Sequence, residues 1–411
     1  MNEMKNAPLV PITDVLSFIV DNRGKTVPTA ESGFPLIATN CVHNERLYPV
    51  FENIRYVSEY TLHNWFRAEL KANDILFVNK GTPGRCCLVP DPVSFCAAQD
   101  MIGLRCDEQK VYYRYLLMVL RSTTTQKFIS NYHVGIAIPH FKKEDLSKLL
   151  IPLPSMEYQK RIGDLYFDIC EKEEHNNSIC ADLEAMAKLL YDYWFVQFDF
   201  PDENGKPYKS SGGKMVWNEE LKREIPEGWK ITTIGNITIC HDSERIPVAG
   251  KDRESMKGNI PYYGATGIMG YVNRAIFNGD YVLMAEDGSV MDSEGHPVVQ
   301  RVSGACWINN HAHVLESTNG YSCKLLMMIL KDIPVMKIKT GSIQMKINQE
   351  NMNSYRIIDI QDCLKQTICE KLDVFDEQLL HLHNENKQLV SVRDFLLPML
   401  MNGQVKVGGK E

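Results

Sequence analysis

Carboxylates near a lysine can hold a divalent metal and activate a water molecule. Pro90-Asp91 ahead of Glu108-Gln109-Lys110 has that pattern, and so has Pro201-Asp202 ahead of Glu220-Leu221-Lys222. The second match falls in a stretch whose composition marks a linker. Two matches in unrelated contexts point to surface charge, with a stand-alone metal-dependent nuclease kept as a rival. His311-Ala312-His313, with Cys306 close by, raises a zinc site. Structural zinc sites bring paired ligands from two segments, and only one segment is visible here. Alternation along a strand would set both histidines on one face, so the expectation is a polar or DNA-facing strand and no metal. His381 and His383 are two apart on a helix and form no ligand pair.

Other catalytic constellations are missing from the sequence. It has no Gly-x-x-x-x-Gly-Lys-Ser/Thr loop, no Gly-x-Gly-x-x-Gly fingerprint and no His-Glu-x-x-His helix. The Asn-Pro-Pro-aromatic tetrapeptide of amino-methylating enzymes is also absent. None of these motifs supplies a catalytic or cofactor site.

The 411 residues allow two or three domains, each able to bury a core. The start, Met1-Asn2-Glu3-Met4-Lys5-Asn6, has no basic region leading into an apolar one, and apolar runs such as Tyr115 to Leu120 are too short to span a bilayer. A cytoplasmic protein with no membrane partner is expected. The twelve cysteines include no Cys-x-x-Cys, which fits buried free thiols. A net charge of −7 is unusual for a domain that grips DNA alone, because phosphate neutralisation supplies most non-specific affinity. Either the chain does not bind DNA, which the charge alone favours, or it binds through local basic loops with help from a partner.

The elements that position these residues are duplicated. Shifted by 206 positions, Asn73-Asp74-Ile75-Leu76 falls on Gly279-Asp280-Tyr281-Val282, Gly135 on Gly341, Ile151 on Ile357, Ile162 on Ile368, Leu183 on Leu389 and Leu190 on Leu396. Nearer the start, Phe34-Pro35-Leu36-Ile37 resembles Ile260-Pro261-Tyr262-Tyr263 at an offset of 226. The framework is shared and the early loops differ. Each copy opens strand-rich: Ile75–Val78 and Tyr281–Ala285 read as buried strands, Tyr112–Leu120 and Cys323–Leu330 as helices. Each copy closes on a long helix. From Glu157 to about Val196 the only glycine is Gly163, and apolar residues keep heptad spacing. The second helix runs from about Cys363 to Leu397. At 1.5 Å per residue, about 40 residues make a rod of roughly 60 Å. Asn176 takes an a position, either fixing register or marking an exposed stretch of the seam.

The run Gly135-Ile136-Ala137-Ile138-Pro139-His140-Phe141-Lys142-Lys143-Glu144-Asp145-Leu146, then Ile151-Pro152-Leu153-Pro154 and Tyr158-Gln159-Lys160-Arg161-Ile162, resembles the close of a target recognition domain in type I restriction-modification specificity subunits. Gly341-Ser342-Ile343-Gln344 is similar to that family's Gly-Ser-x-Gln stretch. Leu221 to Trp229 looks like its entry into a second recognition domain, and Glu184 to Phe198 like its central helix. The resemblance implies an α+β (mixed α/β) chain of two tandem recognition domains, each followed by a long helix, with the helices packed as an antiparallel coiled coil. It divides the chain into 1–155 (first recognition domain), 156–198 (central helix), 199–228 (linker), 229–362 (second recognition domain), 363–402 (C-terminal helix) and 403–411 (tail). It also implies a subunit without catalytic activity. Its partners would be double-stranded DNA, two methyltransferase subunits and motor/restriction subunits. S-adenosylmethionine, ATP and Mg would be bound in those partners. A protein-binding scaffold repeat is the rival from another class.

Base reading draws on Arg, Lys, Asn, Gln, Ser and Thr on loops or helix ends. In the first copy the candidates are Arg23, Lys25, Thr26, Lys80, Thr82, Arg85, His133 and Lys142. In the second they are Arg253, Lys257, Tyr263, Thr266, Ser289, Ser342, Gln344 and Lys346. Tyr191, Trp194 and Phe195 are expected to be exposed and to touch a methyltransferase subunit.

Overall fold

The computed structural model describes residues 3–22, 25–132, 139–341 and 345–405. The chain forms two compact units, Met1–Ser178 with His383–Glu411, and Ile179–Leu382.

In the first unit the strands are β1 (Leu9–Pro11), β2 (Leu16–Asp21), β3 (Phe34–Ile37), β4 (Arg55–Val57), β5 (Ile75–Val78), β6 (Cys86–Leu88), β7 (Cys96–Ala97), β8 (Met101–Cys106) and β9 (Leu150–Pro152). The helices are α1 (Glu59–Asn64), α2 (Tyr113–Arg121), α3 (Thr123–Tyr132) and the start of α4 (Met156–Tyr191). One sheet has the order β2-β8-β5-β6, and a smaller one the order β4-β3-β7. β5 is buried on both faces because every residue is apolar. Ile75 and Phe77 point into the core under α2, while Leu76 and Val78 point into a second core beneath the small sheet. β1 and β9 pair and close the domain.

The second unit repeats this plan. Its strands are β10 (Met215–Asn218), β11 (Arg223–Pro226), β12 (Lys230–Thr233), β13 (Thr238–Cys240), β14 (Lys257–Tyr263), β15 (Ile268–Val272), β16 (Phe277–Ala285), β17 (Val299–Ile308), β18 (Ala312–Ser317), β19 (Lys339–Thr340), β20 (Lys346–Ile347) and β21 (Arg356–Asp359). Its helices are α5 (Ile234–Ile237), α6 (Gly250–Ser255), α7 (Cys323–Lys331), α8 (Gln349–Ser354) and α9 (Asp362–Met401), whose last part belongs to the first unit. The sheet order β13-β18-β16-β17 mirrors β2-β8-β5-β6, and β12–β21 mirrors β1–β9. β14 pairs antiparallel with β15 and parallel with β17, just as β3 pairs with β4 and β7. Residues 38–54 join β3 to β4, whereas only Gly264–Gly267 join β14 to β15. That contrast supplies most of the change of offset near the start of each copy, and the shorter run from β15 into β16 supplies the rest.

The long helices pack antiparallel within each unit. In the first, Arg393 reaches Glu173 (2.9 Å), and the fully buried Asn176 donates its amide to Asn386 Oδ1 (2.8 Å) and Glu385 Oε2 (2.7 Å). The seam is therefore closed at Asn176, not exposed. In the second, Leu183 and Leu379 pack with Phe375 and Leu382. α9 runs through Pro398 to Met401.

The stretch expected as an exposed linker is folded. Phe200 stacks on Tyr208 (4.8 Å, 16° between rings) and packs on Trp229, Asp199 accepts from Ser210, and β10 and β11 form a hairpin. Gly/Ser/Lys content described its surface and missed these aromatic anchors.

Candidate nucleic-acid interface

In the first unit the candidates gather on the turn between β5 and β6. Gly84 takes φ +98°, a backbone state few side chains tolerate, and this lets the chain turn back sharply from Val78 to Arg85. Lys80 and Thr82 stand exposed on the turn and Arg85 is half-buried. The segment 139–141 lies against the turn: Gly81 N–H donates to Pro139 O (2.9 Å) and Phe141 N–H to Asn79 O (2.8 Å). Lys142, exposed, thereby joins Lys80, Thr82 and Arg85. Lys143 bridges to Asp21 at the end of β2 (3.0 Å), which brings the strand leading to Lys25 and Thr26, both exposed, to the same side. Lys25, Arg85 and Lys142 make no ion pair among the described residues. Arg23 and His133 lie outside the described residues.

The second unit builds the equivalent corner differently. Ile347 N–H donates to Glu286 O (2.9 Å), the counterpart of the Phe141–Asn79 bond, and Lys346 reaches Asp287 (3.5 Å). Ser289 is exposed beside it. Ser342 and Gln344 lie outside the described residues. Arg253, Lys257 and Thr266 fall elsewhere, on and beside the β14–β15 ribbon. Tyr263 shares that ribbon, but its ring is half-buried against Phe277, Cys306 and Ile308.

His313 is not a DNA-facing residue. It is buried on β18, with Nδ1–H donating to Asp242 Oδ2 (2.5 Å) and Nε2–H to Ile347 O (2.9 Å). Burial opposes its charge, but Asp242, the Ile347 carbonyl and Glu286 outweigh it and raise the imidazole pKa. Asp242 is held low, against its own burial, by His313, the Val314 N–H and Arg245. Arg245 also reaches Glu286 (2.7 Å). Cys240, Asp242 and His313 are the one group of clustered metal-type side chains among the described residues. Both ring nitrogens of His313 act as donors and Arg245 already neutralises the carboxylates, so the cluster is an ion network and not a ligand set. Burial pushes the Cys240 thiol up to about 12. Sequence alone gave no signal for this network, because Asp242 is 71 residues from His313.

Tyr191, Trp194 and Phe195, expected to be exposed, are 8%, 5% and 7% exposed and belong to the main core of the second unit with Trp229. α4 ends in a π-helical turn, Asp192–Val196, which rotates the following side chains off the heptad register. Solvent instead meets Met186, Leu189, Tyr193 and Val196.

The family model for the type I restriction modification DNA specificity domain matches this chain twice, over residues 9–185 and 226–391. The chain belongs to that family. Each match spans one of the two strand-rich copies and part of a long helix. Among specificity-subunit relatives, the type I restriction enzyme MjaIX specificity subunit of Methanocaldococcus jannaschii is 26% identical over 320 residues, covering 72% of this chain and 70% of that one. The type I restriction enzyme HindI specificity subunit of Haemophilus influenzae is 21% identical over 360 residues, covering 71% and 77%. The crystal structure of the S subunit of a type I restriction-modification system from M. genitalium shares the fold, with a TM-score of 0.61 at 16% identity and 98% of both chains covered. Among the described residues no helix is long and apolar enough to cross a membrane.

Proposed function

We propose that this chain is the DNA specificity subunit of a type I restriction-modification assembly, in which each recognition domain reads one half of a split, asymmetric site. The observation that carries this reading is the twofold family match laid over two copies of one sheet order whose β3–β4 and β14–β15 connections differ. A shared framework with divergent ribbons suits two readers of different half-sites. The polar loops around Lys80, Thr82, Arg85 and Lys142, and around Ser289 and Lys346, supply phosphate and base contacts. Ser342 and Gln344 in the Gly-Ser-x-Gln stretch of the second copy, and Arg23 and His133 in the first, are candidates for the same role. Chemistry is left to partners. Two methyltransferase subunits carry S-adenosylmethionine and methylate adenine, and motor/restriction subunits use ATP and Mg. The assembly works in the cytoplasm.

The test is a map of methylated adenines in cells with and without this chain, its partner methyltransferase present in both. A split motif that disappears with the chain supports the reading. An unchanged map overturns it in favour of a scaffold repeat.

A further inference from the structure

β15 is the edge strand of the six-stranded sheet. Proteins usually blunt such edges with charge, proline or a cover, because free backbone groups beside apolar side chains invite association. β15 instead presents Ile268, Met269 and Tyr271 to solvent, the last two 54% and 52% exposed. Gly267 (φ +149°) precedes them and Gly270 (φ +156°) stands between Met269 and Tyr271, and a Cβ added at either would meet nothing within 4 Å. Glycine in a strand often marks a place where another backbone comes close. Beside the ribbon, Arg253 and Lys257 line a hollow of about 420 Å³ together with Met269 and Tyr271.

The charge around this ribbon runs against that of the whole chain. Lys251, Arg253, Lys257 and Arg274 stand against Asp252 and Glu254, in a protein of net charge −7. Arg253 lies over the Tyr262 ring at 4.9 Å and Arg274 over Trp307 at 5.3 Å, so aromatic faces hold both guanidinium groups in place. Lys257 is loosely paired with Glu254 (3.7 Å), with both side chains three-quarters exposed. Cations flanking an exposed apolar and aromatic strand suit a duplex. Phosphates meet the cations, base edges and thymine methyl groups meet the strand, and a two-stranded ribbon fits a major groove about 12 Å wide. The corresponding ribbon of the first unit displays the same chemistry in other residues, with Arg55 exposed on β4 and Phe51 and Tyr60 exposed at its flanks.

We propose that the β14–β15 ribbon is the specificity-determining element of the second recognition domain, with Met269 and Tyr271 touching bases and Arg253 and Lys257 holding phosphates. This rests on the function proposed above. The first unit's β3–β4 ribbon does the same for the other half-site.

The experiment uses the full chain co-purified with its partner methyltransferase and a randomised duplex library read out by adenine methylation. The wild-type complex yields a split motif. The double variant Met269→Ala/Tyr271→Ala assembles, and because Met269 Sδ accepts from the buried Asn309 Nδ2–H (3.3 Å), the single variant Tyr271→Ala, which removes only a half-exposed ring and melts like wild type, is run beside it. The double variant loses at least tenfold in base discrimination in one half of the motif and keeps the other half. Arg253→Ala weakens binding about equally on all sequences and lowers the slope of log affinity against log salt by about 1. Unchanged discrimination in the double variant, or equal loss in both halves, overturns the inference alone. A wild-type complex without a split motif overturns the proposed function and the inference with it.

Discussion

A Cβ added to Gly163 on α4 would stand 2.8 Å from the backbone nitrogen of Tyr115, at the start of α2. A glycine inside a helix costs about 1 kcal/mol relative to alanine, so this position needs a packing reason. The reason is a close helix crossing, where the Tyr115 backbone cannot step aside as a side chain could. Gly163→Ala therefore destabilises the first unit in spite of its better helix propensity, by about 1–3 kcal/mol as overpacking does. Chemical denaturation measures the loss, and a variant as stable as wild type would refute the crossing.

Asn176, fully buried, and Asn386, half-buried, form a polar layer in the helix pair of the first unit, extended by Asn386 Nδ2–H donating to Asn177 Oδ1 at 2.9 Å. Removing Asn386 leaves the buried Asn176 amide a partner short, whereas replacing both leaves an apolar seam. Asn176→Leu and Asn386→Leu should each destabilise, while the double variant recovers part of the loss. The expected coupling is about 1–2 kcal/mol in a double-mutant cycle. Simple additivity would show that the two amides do not act together.

The parts of the fold legible in the sequence were those set by neighbouring residues. The unbroken apolar run Ile75–Val78 announced a strand covered on both faces, and heptad spacing announced α4 and α9. The common offset revealed the repeat because both cores bury the same positions. What escaped depended on distant partners or a local change of register. The π-helical turn carries Trp194 and Phe195, expected in solvent, into the core. Phe200 and Tyr208 folded a segment whose glycines and serines suggested a linker. Of the DNA-facing candidates, Lys80, Thr82, Arg85 and Lys142 came together because the chain between 139 and 141 returns to the β5–β6 turn, a pairing no local pattern encodes.

The His313–Asp242 pair makes stability depend on pH with a defined sign. His313 has its folded pKa raised above the ordinary 6.5, so its contribution is complete below that value and is lost as pH rises through the folded pKa. Asp242 is depressed below 3.8, so its contribution is present above that value and is lost as pH falls through its folded pKa. The pair contributes most between these limits. His313→Gln should cost about 3 kcal/mol, as breaking a buried ion pair does, and should flatten the decline in stability above pH 6.5. Melting temperatures from pH 5 to 9 check both points, and an unchanged alkaline slope would exclude His313 as its source.

Leu189 and Trp194 separate docking from folding. Leu189 is 68% exposed and lines an apolar hollow with Met186, Leu190, Tyr193 and Phe375, all within the second unit. Trp194 is buried beside Phe195 (ring centroids 6.2 Å) and contributes to the core. Solvated apolar groups on a helix pair add little to the stability of the chain alone and become valuable when a partner covers them. Leu189→Asp should therefore leave the melting temperature within a degree or two of wild type while cutting co-purification of the methyltransferase at least tenfold. Trp194→Ala should do the reverse in origin: it leaves a cavity worth about 3–5 kcal/mol and loses the partner only by unfolding the unit. If Leu189→Asp binds the methyltransferase as wild type does, this helix face is not where the partner docks.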